Sequence, residues 1–146
     1  MKIFLLFLLT IVVAAAAPHV PSASDNCKLQ HFLLAEILEH VKVLEGQDVN
    51  KSSWTYVENV ITPEHCTLEN FCKAGEVLSA YKAEELGLND KDWLLPRSLV
   101  AYTRNTHCNV SSSLDRVEFP QFLENIKLCC QKEYRKTCNQ KKHPIA

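Results

Sequence analysis

Apolar positions return at helical spacing in four stretches of this chain and alternate in two shorter ones. In the first stretch, from about Cys27 to Leu44, the residues Leu34, Ile37, Leu38, Val41 and Leu44 predict one buried stripe. Asp25 or Asn26 is placed to cap its start, and Gly46 to stop it. The second stretch opens at Thr62-Pro-Glu64, with threonine as cap and proline at the first helical position, and runs to about Leu86. Its stripe is Phe71, Ala74, Leu78 and Tyr81, and Gly87 is expected to end it in the left-handed conformation with Leu88 folding back. Asn89 or Asp90 should cap the third helix, which carries Leu95, Leu99 and Tyr102; Pro96 falls in its first turn or kinks it. The last helix is expected from Pro120 to Thr137, with Phe122, Leu123, Ile126, Cys130 and Tyr134 on one side.

The two connecting segments of different character are Trp54–Ile61, rich in β-branched and aromatic residues, and Leu114–Phe119, where Val117 and Phe119 alternate. Both read as short strands, and they are expected to pair. Only three glycines occur, too few for an all-β fold with many tight turns. The fold class that follows is all-α: an up-up-down-down four-helix bundle with long crossover loops and a small two-stranded β ribbon.

Ahead of this pattern lies a run of another kind. Lys2 precedes an apolar segment, Ile3 to Val13, and Ala14 to Ala17 supply small residues for cleavage. Residues 1–16 read as a secretory signal peptide and 17–146 as one domain. The run is too short to span a bilayer of about 30 Å, so membrane insertion is not expected. The expected location is secreted, extracellular, where disulfides are permitted.

Seven cysteines then acquire meaning. Cys27 and Cys138 bracket the helical region, and a bond between them would close a loop worth about 4.7 kcal/mol on the chain-entropy model. Spacing alone does not fix the connectivity of seven cysteines.

Charge adds less. Without Lys2 there are fifteen Lys plus Arg (16 − 1) against seventeen Asp plus Glu. The stretch from Lys127 to Lys142 is basic, which could attract acidic glycans; the plainer alternative is a solvated helix face and tail. That end lacks interleaved aromatic residues, so no nucleic-acid partner is expected. His19, His31, His40, His65, His107 and His143 show no paired metal-ligand spacing, and no nucleophile elbow, phosphate loop or carboxylate dyad occurs. No enzyme activity, cofactor or metal is expected. Asn50-Lys-Ser52 and Asn109-Val-Ser111 are glycosylation acceptors in expected loops.

Two segments carry a family resemblance. Glu69-Asn-Phe-Cys-Lys-Ala-Gly-Glu-Val-Leu-Ser-Ala-Tyr81 resembles the second helix of interleukin-4, with its Phe-Cys-Arg-Ala-Ala-x-Val-Leu pattern. Phe122-Leu-Glu-Asn-Ile-Lys, followed by Tyr134 and Cys138, resembles that cytokine's last helix. The chain is thus similar to the interleukin-4/interleukin-13-like cytokines over its first, second and fourth helices, and only weakly over the third.

The resemblance implies the bonds Cys27–Cys138 and Cys72–Cys108. The family's third bond cannot form as such, because the loop between the second and third helices has no cysteine. Cys66 is expected to pair with Cys130 or Cys129, leaving one thiol. The resemblance also implies a monomer that bridges an interleukin-4-receptor-alpha-like type I receptor chain and a second chain. Glu36 aligns with the family's acidic anchor and Arg97 with its basic anchor, although Val100 stands where the family has an aromatic neighbour. The second chain would meet the last helix through Gln131, Tyr134 and Arg135. Against these stand plainer alternatives: Glu36 and Arg97 as ordinary solvated charges, Tyr134 as the end of the core stripe. The rival function from another class is a secreted, disulfide-stapled helical carrier of a small apolar ligand.

Overall fold

The computed structural model describes residues 23–47, 55–109 and 115–136. Within them the chain is mostly helical with one small antiparallel sheet. In chain order the elements are α1 (Ala23–Glu45), β1 (Tyr56–Glu58), α2 (Leu68–Ser79), α3 (Leu95–Tyr102), β2 (Arg116–Glu118) and α4 (Phe119–Tyr134). Two 3₁₀ turns, Ala83–Leu86 and Asp90–Asp92, lie between α2 and α3.

The first helix starts earlier than its cap residues suggested. Asp25 and Asn26 fall inside its first turn, and the Gly46 N–H closes its end on the Lys42 carbonyl at 3.0 Å. Its stripe is placed as expected: Leu34, Ile37, Val41 and Leu44 are buried, with Leu38 packed at the edge.

The second helix is shorter than its periodicity implied, at both ends. Thr62-Pro-Glu64 forms a turn instead of a helix start: the His65 N–H donates to the Thr62 carbonyl at 2.8 Å. The true cap is Thr67, whose hydroxyl accepts from the Asn70 N–H at 3.2 Å while the Asn70 side-chain oxygen accepts from the Thr67 N–H at 2.9 Å. That reciprocal pair satisfies two amides that a bare helix end leaves open. Beyond Ser79 the chain re-enters as a 3₁₀ turn. Gly87 closes that turn at φ 74°, and the Leu88 N–H reaches back to the Ala83 carbonyl at 3.0 Å. The positive φ favours glycine there, because a Cβ would crowd the backbone.

Asn89 and Asp90 likewise begin a separate turn, not the third helix. The turn is tied down by Gln47, whose side-chain amide donates to the Asp92 carboxylate at 2.8 Å, and by Trp93, whose indole N–H donates to the Tyr81 carbonyl at 3.2 Å. α3 starts only at Leu95. Pro96 falls in its first turn, where no intrahelical donor is lost and no kink arises.

The ribbon forms where expected but is only three residues long on each side. Tyr56 faces Glu118, Val57 faces Val117, and Glu58 faces Arg116. Val57 is fully buried, while β2 runs directly into α4 at Phe119.

The helices share one core. α1 packs against α3 and α4, and α2 packs against α3. Phe71, Phe119, Phe122, Ile37, Leu78, Leu95 and Ile126 are among the side chains wholly removed from solvent. Each contributes about 1.5–3 kcal/mol by burial. Phe71 meets Tyr102 edge-on at 5.1 Å, the favoured approach of ring edge to ring face. The α2–α3 contact is close because Gly75 has no side chain: a Cβ there would lie 3.2 Å from the Leu99 Cβ.

Candidate functional site

Two disulfides with both ends described hold this core together. Cys72 bonds to Cys108, as the family resemblance implied, and Cys66 bonds to Cys129. Cys130 is therefore not a disulfide partner: it is a free, buried thiol. The reason lies in the helix geometry. Cys130 continues the line Phe122–Ile126 that faces the core, at intervals of four residues. Cys129 instead continues the line from Asn125, and that ridge meets the Ile61–Cys66 segment. The Asn125 amide donates to the Ile61 carbonyl at 3.1 Å, and Lys132 on the same ridge donates to the Pro63 carbonyl at 3.1 Å. Adjacent residues on a helix point about 100° apart, so only one of the two cysteines can meet Cys66. Burial pushes the Cys130 thiol up to about 12, with the Glu133 carboxylate adding to the rise. Tyr102, across from it, is raised as well, first by burial and then by Glu133 and Cys130. Cys27 is disulfide-bonded too; its expected partner Cys138 lies outside the described residues.

Glu36 and Arg97 are both exposed, on α1 and α3 respectively, and neither forms an ion pair among the described residues. They stand on two helices that pack together. Tyr134 is 47% exposed, so it is not the end of the core stripe. Its ring instead lies against His31 of α1, with centroids 4.9 Å apart and planes tilted by 32°. A cleft of about 270 Å³ opens beside it, lined by Ala35, Leu38, Glu39 and Lys42. Gln131 is half-buried, and Arg135, just past the helix, is exposed. The sequence-predicted residues thus divide between an α1–α3 surface and an α1–α4 surface.

Sequence reasoning overlooked the outer face of α1. Leu29, Phe32 and Val43 are exposed there at 54%, 64% and 39%. They share a face with Glu36 at separations of three, four and seven residues. The signal was present in the chain as a second apolar periodicity, offset from the buried one. Val100 is 52% exposed on the same face of α3 as Arg97, three residues on.

The basic end is less free than its composition suggested. Lys127 bridges Glu45 and Glu124, each at 3.2 Å, and its pKa is raised by hydrogen bonds to Glu124 and Glu45. Lys136 pairs with Glu133 at 3.1 Å, and Lys132 is spent on the Pro63 carbonyl. Arg135 remains as the described cation of this end without a partner. Asn109 is exposed next to Cys108, whereas Asn50 lies outside the described residues. Among the described residues no group of three His, Cys, Asp or Glu is arranged to hold a metal ion, and no helix is long and apolar enough to cross a membrane.

No protein-family model matches the chain, and no curated protein or solved structure is significantly similar to it.

Proposed function

We propose that this chain is a secreted helical cytokine that bridges two cell-surface receptor chains of the type I class and so triggers type 2-like immune signalling. The observation that carries this reading is the presence of Glu36 and Arg97, exposed and unpaired, on two helices in mutual contact. Charges left unpaired on a rigid surface are suited to a partner that supplies their complements and excludes water around them. In this reading the α1–α3 surface meets an interleukin-4-receptor-alpha-like chain. The α1–α4 surface around Tyr134, with Gln131 and Arg135, meets the second chain. A half-exposed tyrosine offers large contact area at small entropic cost.

The helices follow the up-up-down-down order of long-connection bundles. Supporting this, the first and last connections each contribute one strand to the antiparallel ribbon, as two overhand crossovers would. Disulfides that pin the crossovers to the helices are compatible with an extracellular life. Asn50 and Asn109 carry glycans in the mature protein, and signal cleavage leaves residues 17–146.

The test is cellular. The purified, secreted protein at nanomolar dose should cause phosphorylation of receptor-linked kinases in leukocytes and none in cells lacking the receptor. Equal silence in both, with folded protein, would overturn the reading.

A further inference from the structure

A groove of about 480 Å³ lies where α1, the end of α3 and the start of α2 meet. Leu29, Leu33, Leu68 and Ala101 contribute its apolar part, and Arg104 and Asn105 are among several polar side chains that line the rest. Two of these side chains are large and apolar yet face water, Leu29 at 54% and Leu68 at 41%. Among the described residues Arg104 is the only charged one in the lining; it is exposed and has no ion-pair partner among them.

We propose that this groove receives an acidic side chain flanked by an aliphatic one, presented on a loop of the partner protein. Charge complementarity fixes the acid. A guanidinium binds a carboxylate through two parallel hydrogen bonds, and among the described residues no carboxylate lines the groove to compete. The leucines fix the neighbour, since an aliphatic group laid across Leu29, Leu33 and Leu68 would be removed from water with them. Position favours a protein loop as the occupant. Arg104 stands seven residues beyond Arg97, and Leu29 seven residues before Glu36. Along α1 seven residues are about two turns, or about 10 Å, and Arg104 lies two residues past the end of α3. The groove therefore extends the Glu36–Arg97 surface at one end. The identity of the partner rests on the receptor reading above; the chemistry of the groove does not.

The experiment has two arms. In the first, the isotope-labelled protein is titrated with the capped tripeptide Leu-Asp-Leu and with its uncharged counterpart Leu-Asn-Leu, followed by amide chemical shifts. Saturable shifts at Leu29, Leu33 and Arg104, about tenfold weaker with the asparagine peptide and lost in Arg104→Glu, are expected. Absence of shifts at these amides, or equal response to both peptides, would overturn the proposal. In the second arm, wild type, Arg104→Glu, Leu29→Ser and Glu36→Lys are passed over an immobilised interleukin-4-receptor-alpha-like ectodomain. Arg104→Glu and Leu29→Ser should each weaken binding by about tenfold. Wild-type affinity in both, while Glu36→Lys loses it, would overturn the proposal and spare the receptor reading. No binding by any form, with the peptide shifts intact, would do the reverse.

Discussion

Replacing Cys130 and replacing the Cys66–Cys129 pair should have very different consequences, although Cys129 and Cys130 are neighbours and both wholly buried. The bond joins residues 63 apart in sequence. On the chain-entropy model, closing such a loop restricts the unfolded chain by about 4 kcal/mol, so the double variant Cys66→Ala/Cys129→Ala should lose up to that amount. Cys130→Ala removes a single buried sulfur and breaks no cross-link. Its loss should be about 1 kcal/mol, from transfer and a small void. Urea unfolding of the oxidised protein followed by far-ultraviolet circular dichroism reads both. Unreduced peptide mapping of the Cys130→Ala variant should still join Cys66 to Cys129 and Cys72 to Cys108, and Cys27 to Cys138. A loss from Cys130→Ala as large as from the double variant, or a map linking Cys66 to Cys130 in the wild type, would refute the two-ridge argument for α4.

Asn125→Leu keeps the branched outline of the side chain, with bulkier methyl groups, but strands the buried Ile61 carbonyl, and should cost about 1–3 kcal/mol in the same unfolding assay. Gly75→Val would drive a branched side chain into Leu99 and should cost about 1–3 kcal/mol by overpacking, visible as a lower thermal midpoint. The Cys130 thiol should resist iodoacetamide in the native state at pH 8 and react once in urea, as mass spectrometry would show. Its folded pKa of about 12 stands above the ordinary 9.0, so the folded state holds the proton more tightly. That contribution is complete below pH 9 and disappears as pH rises toward 12, so stability should fall over this range, and fall less in Cys130→Ala.

The hydrophobic pattern disclosed which residues form the core, because burial is what sets the periodicity. Leu34, Ile37, Phe71, Leu99 and Phe122 all lie where their spacing put them. Boundaries were less legible, because they depend on competing local hydrogen bonds. Thr62-Pro-Glu64 has every mark of a helix start, but the Thr67–Asn70 pair caps better, and the disulfide at Cys66 fixes the preceding turn against α4. The extent of the third helix was hidden for a similar reason. Nothing in Asn89–Trp93 says that Gln47, more than forty residues away, will hold it in a separate turn. At the candidate site, exposure of Glu36 followed from its offset to the stripe. That of Tyr134 did not, since its position extends the core line by four residues and only the end of the helix frees it. The groove at Arg104 was not legible at all. It is made by three elements whose approach depends on Gly75 and on the packing of α1 against α3.

The most direct test of the receptor reading is surface plasmon resonance of wild type and Glu36→Lys on an immobilised interleukin-4-receptor-alpha-like ectodomain. Glu36 is exposed and unpaired, so reversing its charge leaves the core untouched. The account predicts saturable nanomolar binding by the wild type and a loss of about tenfold or more in the variant. Identical binding by the two would remove Glu36 as an anchor, and no saturable binding by the wild type would contradict the account itself.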